Sequence, residues 1–126
     1  MIQYHNDLAE VPKAIGPYSQ ATQVGNLYFL SGQVPLDPAT GKLSGSDINE
    51  QIEQVMKNLS SVLSALELDF SNVAKTTILL TDMNQFPVVN EVYQKWLGDN
   101  RPARATFAVA GLPAGALVEI EMIAEK

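Results

Sequence analysis

The spacing of apolar residues changes several times along the chain, and each change predicts an element. Gly16-Pro17 marks a turn, after which Tyr18 to Val24 and Leu27 to Gln33 read as two strands joined at Gly25-Asn26. Pro35, Asp37, Pro38 and Gly41 make the next stretch a long irregular loop. Asp47, with Glu50 three residues on, has the form of a capping box and opens a helix. Ile48, Ile52, Val55, Met56, Leu59, Val62, Leu63 and Leu66 then recur at helical spacing, which predicts an amphipathic helix of about 20 residues. Val73 to Leu80 is a β-branched, apolar strand. Phe86, Val89, Val92, Tyr93, Trp96 and Leu97 mark a second helix, with Pro87 tolerated in its first turn. Ala103 to Val109 and Leu117 to Ala124 complete the chain as two strands around a turn rich in Gly and Pro.

The order ββ-α-β-α-ββ predicts an α+β fold with both helices on one face of the sheet. Both helical stripes read as core. No third layer is left to cover the opposite sheet face, and a solvated face should be polar throughout. In the last strand Val118, Ile120 and Met122 share one face, while Leu117, Glu119, Glu121 and Ile123 share the other. A face of apolar residues mixed with glutamates is either an imperfectly polar solvated face or one buried against a second copy of the chain.

At 126 residues the chain reads as one domain, 1–126, with no repeat, low-complexity tract or linker. A net charge of −6 argues against nucleic acid and anionic membrane surfaces as partners. It leaves room for a small anionic ligand wherever positive charge is concentrated locally. The absence of cysteine removes disulfides, thiolate metal sites and a Cys nucleophile together. His5 is the sole histidine, reads as a surface residue, and cannot build a metal cluster alone. Met1 to Lys13 lacks the apolar core of a signal peptide and no apolar run approaches membrane-spanning length, so a cytoplasmic location is expected.

The only two arginines fall in Arg101-Pro102-Ala103-Arg104-Ala105-Thr106, at a strand entrance. Strand alternation puts Arg104, Thr106 and Ala108 on one face, with Ala105, Phe107 and Val109 on the other. A guanidinium is a planar fork that grips a carboxylate with two hydrogen bonds, although a solvated strand arginine accounts for this segment alone equally well. Glu119 and Glu121 are strand neighbours about 7 Å apart, a spacing open to acid–base work or to plain alternation. Gly16-Pro17-Tyr18 presents a phenol on a rigid turn, and Ser31-Gly32-Gln33 ends a strand with backbone open to close approach. No P-loop, dinucleotide-binding, nucleophile-elbow or zinc-protease motif occurs.

Taken in order, Ala14-Ile15-Gly16-Pro17-Tyr18-Ser19-Gln20, Ser31-Gly32-Gln33-Val34-Pro35, Lys75-Thr76-Thr77, Asn90-Glu91-Val92-Tyr93, Pro102-Ala103-Arg104 and Val118-Glu119-Ile120-Glu121 resemble the Rid family. These are the reactive intermediate deaminases, also called the YjgF family, and the arginine of Pro-Ala-Arg marks the archetypal RidA subgroup. The resemblance implies a chorismate-mutase-like fold: a mixed sheet with two helices on one face. It also implies a homotrimer with a central β-barrel and clefts between subunits. The implied activity is hydrolysis of 2-imino acids such as 2-iminopropanoate and 2-iminobutanoate, released by pyridoxal-phosphate enzymes, to 2-oxo acids and ammonia. No cofactor or metal is implied. By position in the motifs, Arg104 would grip the substrate carboxylate and Glu119 would hold and activate water. Tyr18 would line the cleft, the backbone at Gly32 would approach the ligand, and Asn90 matches an asparagine of the second helix. Thr106 stands where many relatives carry a cysteine that acts through its backbone; Ala105 and Gly111 also depart from the commoner pattern.

Three other readings compete. The same cleft could bind a 2-oxo acid without turnover, as a regulatory module. Ribonuclease or translation-inhibitor roles, also attached to the family, sit poorly with the net charge and two arginines. A chorismate mutase would need more cations than one well-placed arginine supplies.

Overall fold

The computed structural model describes residues 1–126. Six strands are present: β1 (Gln3–His5), β2 (Ala21–Val24), β3 (Leu27–Gln33), β4 (Val73–Leu80), β5 (Ala103–Ala108) and β6 (Val118–Glu125). Helix α1 (Ile48–Ala65) joins β3 to β4, and α2 (Phe86–Leu97) joins β4 to β5. The strands form one mixed sheet in the order β1-β2-β3-β6-β4-β5, antiparallel throughout except for the parallel pair β4–β5. Strand β6 enters between β3 and β4, so both helical crossovers link parallel strands. Their common handedness lays both helices on the same sheet face. The α+β expectation holds.

Helix α1 begins at Asp47, whose carboxylate accepts the Glu50 N–H at 2.9 Å. One face of α1, from Ile48 through Ile52, Val55, Met56, Leu59 and Leu63, is buried against the sheet. Val89, Val92, Tyr93 and Leu97 of α2 join the same core. The sheet answers with Tyr28, Leu30, Ile78 and Leu80, and with Val118, Ile120, Met122 and Ala124 of the central strand. Each large aliphatic side chain buried here contributes about 1.5–3 kcal/mol. Two polar side chains of α1 tie down irregular chain. Buried Asn58 donates to the carbonyls of Val34 and Leu36, and Gln51 accepts the Leu117 N–H at 2.8 Å.

The opposite face is open. Register places Phe29 beside Ile123, Glu121 beside Thr77, and Glu119 beside Leu79 and hence Phe107. Phe29 is 39% exposed and Phe107 50%, a large apolar loss for a protein that left this face in water.

Four expectations change in detail. Strand β1 was not expected; Gln-Tyr-His has no apolar alternation because it is an edge strand, held by pairing to β2 and by His5 Nε2 donating to Gln23 Oε1 at 2.9 Å. His5 is accordingly half-buried. Tyr18 precedes β2 rather than lying in it, because the chain bends at Gly16 to Tyr18 before pairing starts at Ala21. Leu117 lies just outside β6 and packs partly on the main core instead of the open face. At the start of α1 only the Asp47 half of the capping box forms; a reciprocal box closes instead between Asp69 and Asn72, ahead of β4.

Candidate active site

Two groups of candidate residues emerge, on different surfaces. The first belongs to β5 and α2. Parallel pairing sets Arg104 beside Thr76 and Thr106 beside Ile78, both of which face the helices. Arg104 therefore leaves the outer edge of the sheet toward α2. Phe86, Asn90 and Tyr93 recur at helical spacing and form the stripe that meets it. The guanidinium carbon lies 5.3 Å from the centroid of the Phe86 ring and 5.2 Å from that of Tyr93. Its Nη1 donates to Asn90 Oδ1 at 2.7 Å. Tyr93 is itself fixed, its hydroxyl 2.9 Å from that of buried Thr76. The arginine is thus oriented by aromatic faces and one neutral amide, with no carboxylate to neutralise it. Beside it opens a cavity of about 440 Å³, lined also by Gln94, Asn100 and Arg101. Thr106 is half-buried one alternation further along β5, and its hydroxyl, enclosed, has no hydrogen-bond partner.

The second group lies across the sheet. Tyr18, Gly32 and Glu119 line a smaller cavity of about 270 Å³, together with Ile15, Val34 and Pro113. The phenol oxygen of Tyr18 accepts the Ile15 N–H at 3.2 Å, which folds the Ile15 to Tyr18 turn into a wall. Between Leu30 and Gln33 the pairing of β3 with β6 slips by one residue, a bulge at Ser31-Gly32. Ser31 stays anchored by donating to the Ser19 carbonyl. At Gly32 the missing side chain leaves space that the Glu119 carboxylate occupies: a Cβ there would stand 2.8 Å from Glu119 Cδ. Burial pushes the Glu119 carboxyl above its ordinary value, and the charge of Glu121 on the same face pushes the same way.

Arg104 and Asn90 meet in the first group, and Tyr18, Gly32 and Glu119 in the second. The two sets do not meet within one chain. Arg104 emerges on the helix face at the sheet edge, whereas Glu119 rises from the open face of a strand two places inward. They line separate cavities. Phe86 and Tyr93 as a bed for Arg104 were missed, since their helical spacing reads equally as core. Ile15 and Pro113 were missed as wall residues; the 62% exposure of Ile15 is visible only in the fold. No group of three or more His, Asp or Glu side chains is arranged to hold a metal ion, and no helix is long and apolar enough to cross a membrane.

Comparisons with known proteins agree with this architecture. The family model described as Endoribonuclease L-PSP matches residues 8–126. Protein DfrA of Myxococcus xanthus is 55% identical, over 95% of this chain and 92% of its own. The 2-iminobutanoate/2-iminopropanoate deaminase of Mus musculus is 51% identical, over 91% of this chain and 85% of its own. Among solved structures, RidA from the Antarctic bacterium Psychrobacter superposes with a TM-score of 0.93 at 39% identity, covering 98% of this chain and all of that one. With nearly the whole chain matched in sequence and in fold, the protein belongs to the Rid (YjgF) family, the family whose model carries the description Endoribonuclease L-PSP.

Proposed function

We propose that the protein is a cytoplasmic 2-iminobutanoate/2-iminopropanoate deaminase that works as a homotrimer with a central barrel. The observation that carries this reading is the separation of Arg104 from Glu119: one chain presents an unneutralised guanidinium on one surface and a half-buried carboxylate on another. The mouse relative that bears the deaminase name, at 51% identity, supports the choice of substrate.

In the proposed assembly the open sheet faces of three chains pack together, and each cleft takes Arg104, Asn90 and Thr106 from one protomer. Its neighbour supplies Tyr18, Gly32 and Glu119. The substrate carboxylate sits on the Arg104 fork, which holds C2 of the imine before the opposing wall. Glu119 takes a proton from water as the water oxygen bonds to C2, giving a carbinolamine. The carboxyl returns that proton to nitrogen, the C–N bond breaks, and ammonia leaves as the hydroxyl proton is lost and the 2-oxo acid forms. A carboxyl with a raised pKa suits this exchange, because it takes up a proton more readily than an ordinary carboxylate and can return it. An iminium carbon is already electrophilic, so positioning and one base suffice.

The test couples a threonine dehydratase to semicarbazide trapping. Suppression of the semicarbazone by catalytic amounts of protein is expected. Saturable 2-oxobutanoate binding without such suppression would replace the enzyme by a ligand-binding module.

A further inference from the structure

We propose that the cavity beside Arg104 binds a second acid group through Arg101, so that the substrates include 2-imino dicarboxylic acids of four or five carbons. This rests on the deaminase reading above and names a substrate class for that same site.

Both arginines of this acidic chain line one cavity. Arg101 is anchored but not neutralised. Its Nη1 donates to the carbonyls of Gly98 at 2.6 Å and Asn100 at 2.9 Å, at the C-terminal end of α2. The other guanidinium nitrogens have no partner within the chain, and neither arginine forms an ion pair, whereas Lys95 and Lys126 both do. Apart from Tyr93, whose hydroxyl is engaged with Thr76, the rest of the polar lining is amide, with no carboxylate among it. Asn90 and Asn100 each use one end of their amide, Asn90 to accept from Arg104 and Asn100 to donate to Leu97, and Gln94 uses neither. The result is a donor-rich pocket of about 440 Å³ with two positive charges, larger than a four-carbon monoacid requires.

The two charges face one cavity. Arg104 rests on Phe86 and Tyr93 and donates to Asn90 of α2, Arg101 donates to the Gly98 carbonyl just past the end of that helix, and both side chains line the one cavity. A 2-imino dicarboxylate in that cavity would set one carboxylate on each guanidinium, its two acid groups joined by two or three carbons. The α-carboxylate takes Arg104 and the distal carboxylate takes Arg101, so the reacting carbon keeps its place. The hydrolysis is unchanged: water adds to C2, ammonia departs, and a 2-oxo dicarboxylate remains. Such imines arise by oxidation of acidic amino acids or by β-elimination from their 3-hydroxy derivatives.

The experiment compares two imines made in situ in the same semicarbazide assay. One is 2-iminobutanoate from a threonine dehydratase; the other is 2-iminosuccinate from an aspartate oxidase with catalase present. The parent protein is expected to clear both. In Arg101→Gln the ratio of kcat/KM for the diacid over the monoacid should fall at least about tenfold, the scale of one lost hydrogen bond to a charged group. Arg101→Lys should recover part of that ratio. Gln94→Glu, an exposed helix position that needs no refitting, should lower the ratio by placing a like charge in the pocket, and carries the test if Arg101→Gln fails to fold. Clearance of 2-iminobutanoate alone, or an unchanged ratio in the folded variants, overturns this inference and leaves the deaminase reading intact. Clearance of neither imine overturns both.

Discussion

Arg104 is held by Asn90 and two aromatic rings rather than by an acid, so its charge is available for a substrate carboxylate. On the proposed mechanism Arg104→Ala should cost about 2–5 kcal/mol of transition-state binding, read as kcat/KM. Arg104→Lys should rescue poorly, because a point charge lacks the planar fork. Near-full activity in the alanine variant would mean the carboxylate sits elsewhere. At Glu119 the sign follows from burial. Its carboxyl titrates above the ordinary range, so the base is lost as pH falls through that raised value, and the acid limb of kcat should lie above that of a free glutamate. Folding carries the opposite consequence. A raised carboxyl binds its proton more tightly folded than unfolded, so its contribution to stability declines as pH rises from the ordinary value to the raised one. Glu119→Gln should therefore slow turnover about 10²–10⁴-fold, abolish the acid limb, and melt no lower than the parent at pH 7. A limb that survives in Glu119→Gln assigns the base to another group. Arg104 stood out in the sequence because arginine is rare there, whereas the strand pattern left Glu119 and Glu121 equivalent and only the family resemblance told them apart. The separation of Arg104 from Glu119 did not stand out, since it depends on pairing register between strands far apart in the chain. Nor could the spacing of Phe86 and Tyr93 distinguish rings that fill a core from rings that carry a cation.

At the scale of elements, the bulge in β3 links the sheet to the site. The Glu119 carboxylate stands in the space that a side chain at residue 32 would fill. Gly32 does not have a left-handed φ, so alanine is tolerated by the backbone and the conflict is with the carboxylate alone. Gly32→Ala should therefore fold and assemble normally while lowering kcat more than affinity for 2-oxobutanoate, with a displaced acid limb. Equal losses in kcat and affinity would instead make residue 32 a ligand contact. The sequence made the helices and the four long strands legible, because two or more turns of periodicity outweigh local noise. It concealed β1, whose three residues are specified by β2 rather than by any pattern of their own. It misread Leu117 because alternation was extended one residue past the point where β6 pairing stops. The bulge was equally hidden, since an extra residue in one strand shows only against its partner.

For the whole molecule, the open sheet face is the decisive feature. Phe29, Leu79, Phe107 and Ile123 share it with two glutamates, and a second chain is the simplest cover of matching chemistry. Light scattering at low micromolar concentration should give three 13.7 kDa chains, about 41 kDa. The melting temperature should fall on dilution, since assembly stabilises by mass action. A monomer of full activity would exclude any cleft shared between chains.

The division of polar groups between two surfaces has a genetic corollary. If each cleft draws its arginine from one copy and its glutamate from the next, two inactive alleles can repair one another. Every trimer that mixes Arg104→Ala and Glu119→Gln chains contains one junction where an intact arginine meets an intact glutamate. Random co-assembly in equal amounts should restore about a quarter of the parental activity. Inheritance at this locus would then follow the quaternary arrangement rather than the dose of either allele.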